Sequence, residues 1–109
     1  MYGVGDEMSA TWWLMQGEAA VGELRQYGVD QPVFLCHFTP GPAWEAVRAH
    51  FEAWSALRGP DPDGSRTAQV IRSIMDLGLR LVPTDDSPSM TLFTECILRI
   101  DGHTARLRC

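Results

Sequence analysis

The sequence contains no lysine, so all nine of its basic residues are arginine. This bias is typical of a GC-rich bacterial genome. It also gives every basic site a planar guanidinium that suits carboxylates and phosphates. Acidic residues number 14, which leaves a net charge of −5. Because affinity for nucleic-acid backbones depends on lysine and arginine contacts, this balance argues against a nucleic-acid partner.

Long apolar runs and a secretory signal are also missing. The apolar stretches are much shorter than the roughly 20 residues of a membrane-spanning helix. Met1–Glu7 has neither the basic nor the apolar region of a signal peptide. The cysteines, Cys36, Cys96 and Cys109, are odd in number and far apart, which favours reduced thiols. We therefore expect a cytoplasmic protein that has no membrane partner.

Motifs for catalysis, metals and cofactors are absent too. Cys36 and His37 are neighbours, and on a strand they would point to opposite faces. The paired spacings of zinc sites do not occur. The segment Asp61–Ser65 lacks the further oxygen ligands of a calcium loop, and no glycine-rich phosphate loop follows a strand. We therefore assign no catalytic residue, metal or cofactor, and the sequence favours a non-enzymatic protein without deciding the matter.

The chain length and composition fit one domain. A chain of 109 residues with 45% apolar side chains can bury a hydrophobic core without disulfides or a metal. We predict a disordered N-terminal extension over residues 1–8, in which Met8 is a second plausible start. A single α+β domain is predicted over residues 9–109.

Short β-prone segments open the predicted domain. Val21 and Leu24 are three residues apart, so they can face the same side of a strand only if a bulge at Gly22 restores the parity. The three predicted strands are Thr11–Met15, Val21–Gln26 and Val33–Phe38.

Two amphipathic helices follow, over about Pro42 to Leu57 and Ser65 to Leu77. Ser65 is predicted to cap the second helix, and Gly78 to end it in a left-handed conformation. The apolar stripe of the first helix is Trp44, Val47, Phe51 and Trp54, with Glu45, Arg48 and Glu52 on its other side. The stripe of the second is Val70, Ile71, Ile74 and Met75.

The C-terminal part reads as strands again. Leu79–Val82 is a short strand, Met90–Ile100 is a long one, and Asp101-Gly102 predicts a type I′ hairpin turn. The order β-β-β-α-α-β-β-β predicts an α+β fold. Its antiparallel sheet has about six strands, and two helices pack on one face.

Several of these segments together resemble a known group of proteins. They are Thr11-Trp12-Trp13-Leu14, Leu77-Gly78-Leu79-Arg80-Leu81 and Leu98-Arg99-Ile100-Asp101-Gly102. The combination resembles small uncharacterised proteins of high-GC actinobacteria over about Ser9 to Arg108. Its motifs are mostly core and turn residues, so the resemblance implies no activity.

The outer face of the last hairpin is the most partner-like surface. Apolar residues flanked by arginine are an interface-like mixture, although another part of the chain could cover them. We predict a protein-interaction or regulatory module that binds a protein partner or forms a homodimer through this face. The alternative is a small-molecule-binding domain or small enzyme with a pocket between sheet and helices. The candidate interface residues are Phe93, Ile97, Arg99, Arg106, Arg108 and Trp13.

Overall fold

The computed structural model describes residues 10–57, 61–85 and 87–108. The predicted N-terminal extension and Cys109 lie outside these residues. The described chain forms seven strands and two helices. In chain order they are β1 Thr11–Gln16, β2 Ala19–Asp30, β3 Val33–Pro40, α1 Trp44–Ser55, α2 Ser65–Met75, β4 Leu79–Pro83, β5 Met90–Thr91, β6 Ile97–Asp101 and β7 Thr104–Arg108.

The strands form one antiparallel sheet in the order β5-β4-β1-β2-β3-β7-β6. This confirms the α+β class and the antiparallel sheet, with seven described strands instead of about six. Strands β5 and β6 lie at opposite edges, yet only residues 92–96 separate them in the chain. Leu92 and Cys96 form a bridge with each other. The sheet must therefore curl until its two edges approach each other at this segment.

The concave side of the curled sheet holds the core. All four predicted stripe residues of α1 are buried. The rings of Phe38 and Trp44 lie 4.8 Å apart at 61°, an edge-on contact that joins β3 to the start of α1. At the other end of α1, the Ser55 hydroxyl donates a hydrogen bond of 2.7 Å to the carbonyl of Ile100 in β6. Helix α2 packs chiefly on α1 and adds Ile74 to the core.

The predicted bulge is present in β2. Leu14 pairs with Gly22 and Met15 with Ala20, so Val21 is an extra residue beside Gly22. The bulge restores the parity as expected, and both Val21 and Leu24 are completely buried.

The long strand predicted over Met90–Ile100 is wrong, because the chain turns within it. Phe93 adopts a left-handed φ of 63°, and its N–H donates to the carbonyl of Cys96. The carboxylate of Glu95 accepts the N–H of Thr91 at 2.8 Å and holds the turn from the other side. Residues 90–100 favour strands and include no glycine or proline, so the sequence gave no sign of the break.

The last hairpin forms with a different register from the predicted one. Asp101 pairs with Thr104, which places Gly102 and His103 in the turn. Gly102 has φ 65°, but His103 does not, so the predicted type I′ turn is wrong. The carbonyl of His103 accepts the N–H of Phe38 at 2.7 Å, which extends the β3–β7 ladder into the turn. A turn at Asp101-Gly102 would pair Leu98 with Ala105, whereas Leu98 pairs with Leu107. Because the partner moves by two residues, Leu98 stays on the buried face.

Two glycines of β2 provide a test of this packing. A methyl group on Gly22 would overlap the Phe38 ring and lie 2.9 Å from the carbonyl oxygen of Thr39. We expect Gly22→Ala to lower the free energy of unfolding by about 1–3 kcal/mol, as overpacking does. Urea unfolding measures this change.

Gly28→Ala is the matched control in the same strand. Its methyl group would meet Leu35 at an ordinary 3.6 Å. We expect an unfolding free energy within about 0.5 kcal/mol of the wild-type value. Equal losses for the two variants would contradict the close packing at the bulge.

Candidate interaction surface

The outer face of β3, β7 and β6 carries three cross-strand rows of side chains, and the row nearest the hairpin turn consists of His37, Thr104 and Asp101. The other two rows contain the arginines. In the first of these, Leu35 pairs with Arg106 and Arg106 with Arg99. In the second, Val33 pairs with Arg108 and Arg108 with Ile97. Residues paired directly across an antiparallel ladder lie on the same face of the sheet. We call this surface the arginine face, and it consists of Val33, Leu35, Ile97, Arg99, Arg106 and Arg108.

The arginines of this face have no carboxylate partner among the described residues. The ion pairs found there belong to Arg25 and Arg48. Glu95, the nearest acidic residue before β6, forms no ion pair with Arg108, because it lies in the turn and accepts the N–H of Thr91. Arg99 and Arg106 are instead directly opposite each other, an arrangement of like charges that destabilises a strand pair.

Trp54 fixes the position of Arg99. The guanidinium carbon lies 4.8 Å from the centre of the Trp54 ring, a cation–π distance. The ring centres of Trp54 and Phe93 lie 5.3 Å apart with an angle of 88° between the ring planes, a T-shaped contact. Phe93 is therefore half-buried against the core, and its predicted place on the outer face beside Ile97 is wrong. Ile97 itself is 46% exposed and stays on that face.

Trp13 lies on a different part of the outer surface. It pairs with Glu23 of β2 and Val82 of β4, and 40% of its surface is exposed. Strands β2 and β3 separate β1 from β7 and β6 in the sheet. The structure therefore brings Ile97, Arg99, Arg106 and Arg108 together and leaves Trp13 apart from them.

A hollow of about 610 Å³ opens between α1 and the tip of the last hairpin. It lies at the edge of the sheet, whereas the predicted alternative placed a pocket between sheet and helices. Much of its lining is charged or polar, and Arg48 is held between Glu45 at 3.4 Å and Glu52 at 3.6 Å. The lining also includes Asp101 and His103 from the hairpin.

The side chains that could do acid–base or metal chemistry lie apart. Cys36 is buried and His37 is exposed, as expected of neighbours on a strand, and His37 stacks on Tyr27 at 4.5 Å between ring centres. His50 is half-exposed on α1. Among residues 10–57, 61–85 and 87–108, no three His, Cys, Asp or Glu side chains are grouped to hold a metal ion.

The loop carboxylates cap helix α2. Asp61 accepts the backbone N–H of Thr67 at 3.0 Å and its hydroxyl at 2.8 Å, which hold the pKa of Asp61 below its ordinary value of 3.8. Asp63 likewise accepts the N–H of Ser65, which lowers the pKa of Asp63. Ser65 is the first helical residue and makes no cap, because Gly64 takes the position before it with φ 70°. The prediction that Ser65 caps the helix is therefore wrong.

Sequence reasoning missed two members of the arginine face. Val33 and Leu35 belong to a continuous apolar strand, so no alternation marked which of its residues point outward. The burial of Cys36 and Phe38 now gives the parity, and Leu35 lies on the opposite side from both. The pairing of β3 with β7 would have identified these two residues, but the sequence does not specify that pairing.

Comparison with family models, with curated proteins and with solved structures finds no match to this chain. None of the helices in the described part of the chain has the length and apolar character needed to cross a bilayer.

The cap by Asp61 gives a pH-dependent prediction. Replacing Asp61→Ala should lower the Tm at neutral pH, because both donors of Thr67 lose their acceptor. The folded pKa lies below the ordinary 3.8, so the carboxylate stabilises the fold above that pH. This stabilisation is lost as the pH falls through the lower folded pKa. The Tm difference from wild type should therefore shrink between about pH 7 and about pH 3, as followed by circular dichroism.

Asp85→Ala is the control for this measurement. Asp85 accepts the N–H of Ser87 within a loop and caps no helix, so its loss should change the Tm less. A difference between Asp61→Ala and wild type that stays constant or grows at low pH would contradict the capping role.

Proposed function

We propose that the protein is a non-enzymatic, cytoplasmic interaction module that binds an acidic segment of a protein partner through the arginine face. The observation that supports this most is the pairing of Arg99 with Arg106, neither of which forms an ion pair within the described part of the chain. The cytoplasmic location rests on the composition and on the expectation of reduced cysteines.

The chemistry of the arginine face suits a carboxylate partner. Arg99 and Arg106 are paired across β6 and β7, and like charges in such a position destabilise a strand pair. A carboxylate seated between Arg99 and Arg106 would turn that repulsion into charge-assisted hydrogen bonds. Val33, Leu35 and Ile97 add apolar surface at the same place, and arginine beside apolar side chains is a composition found at interfaces.

A homodimer through the same face is less favourable on electrostatic grounds. A two-fold interface uses the same patch on both copies. It would bring the arginines of one copy against those of the other, and like charges facing each other across an interface cost several kcal/mol. The charge of this face therefore favours a different, acidic protein over a second copy.

Binding of a small molecule in the hollow between α1 and the hairpin is the alternative function. Its volume of about 610 Å³ lies within the usual range for ligand pockets. Ligand pockets usually have only a few polar groups, whereas four charged side chains, Glu45, Arg48, Glu52 and Asp101, line this one. The number of charged side chains favours the interaction module.

A titration with a short polyglutamate peptide tests the proposed function. We expect backbone NMR shifts on β3, β6 and β7, centred on Arg99 and Arg106, that weaken when salt is added. Arg106→Glu should weaken the binding on the order of tenfold, because one attractive contact becomes a repulsive one.

Arg72→Glu is the matched control, since Arg72 is exposed on α2 and the change in net charge is the same. Its affinity for the peptide should stay near that of the wild type. Equal weakening by both variants would mean that the peptide senses only net charge. Shifts at Trp44, Ser55 and His103 in place of the arginine face would favour the hollow instead.

A further inference from the structure

The outer face of β4, β1 and β2 carries a second patch, centred on Trp13. Met15 lies two residues along β1 and pairs with Arg80 on one side and Ala20 on the other. Val82 pairs with Trp13 from β4. These residues, with Gly17 and Glu18 of the β1–β2 turn, line a shallow and largely apolar hollow of about 600 Å³. We call them the Trp13 patch.

The charges at the rim of the Trp13 patch are of opposite sign. Arg80 and Glu18 are both exposed, and neither has an ion-pair partner among the described residues. They lie on opposite sides of β1, since Arg80 comes from β4 and Glu18 leads into β2. Glu23, the neighbour of Trp13, is already balanced by Arg25 at 3.7 Å.

We propose that the Trp13 patch binds a second copy of this chain, face to face, in a two-fold dimer. A two-fold axis along β1 would place Trp13 against Trp13 of the second copy. The same axis would place Glu18 of each copy opposite Arg80 of the other copy, so two Glu18–Arg80 ion pairs would form. A patch that is complementary to itself is what a two-fold interface requires. The arginine face lacks this property, since it carries charge of one sign.

The geometry also suits the packing of two sheets. Aligned sheets pack about 10 Å apart, with side chains of the two faces interdigitating. Trp13 projects from the face, while Gly17 and Ala20 leave space beside Met15. The apolar area is modest, and specific interfaces of standard size bury about 800 Å² on each partner. We therefore expect a weak dimer that dissociates on dilution.

Sedimentation of the full chain over a range of concentrations tests this dimer. The wild type should shift from monomer to dimer as concentration rises. Arg80→Glu should weaken the dimer on the order of tenfold, because two attractive pairs become two repulsive ones. The double swap Glu18→Arg with Arg80→Glu should restore it, since each arginine at position 18 then meets a glutamate at position 80 of the second copy.

The controls separate this inference from the proposed function. Arg72→Glu should leave the dimer unchanged, and Arg80→Glu should leave the polyglutamate titration unchanged. Thermal unfolding checks that each variant is folded, and recovery in the double swap excludes misfolding as the cause. A wild type that stays monomeric at the highest concentration would overturn the proposal. So would a dimer that Ile97→Glu abolishes and Arg80→Glu does not.

Discussion

The packing around Trp54 is the constraint on which the C-terminal half of the fold depends. Trp54 is a buried residue of α1. Its indole packs on Phe93, which belongs to the turn between β5 and β6, and it lies under the guanidinium of Arg99 from β6. It therefore joins the helix, the segment where the sheet's two edges approach, and the outer face of the edge strand. A large aromatic ring suits this position because it offers a face and an edge to different neighbours at once. The same contact holds the side chain of Arg99, one member of the arginine face.

How far the sequence predicts this fold depends on whether the relevant forces are local. The stripe of α1 and the parity of the last hairpin were predictable because they rest on fixed periods of 3.6 and 2. The bulge beside Gly22 followed from the same parity argument. The exact register of the hairpin did not, because the β3–β7 ladder includes His103 and so helps to set the turn.

The turn at residues 92–96 shows why the rest was not predictable. Its residues favour strand locally, but Phe93 packs on Trp54, which is far away in sequence. Tertiary contacts override β propensity in such cases. The consequence for the candidate site is direct. Ile97, Arg99, Arg106 and Arg108 share the outer face as their parity predicts, whereas Phe93 leaves it.

A sheet that curls around its own helices has a further consequence for function. The concave side is filled by α1 and the core, and Trp13 and Ile97 are exposed on the convex side of the described chain. No other described residue covers these apolar side chains, so another molecule can bury them. The two patches differ in charge, since one carries arginine alone and the other carries both signs. Electrostatic complementarity selects partners by suppressing the wrong ones. We therefore propose different partners for the two patches, an acidic protein for the arginine face and a second copy for the Trp13 patch.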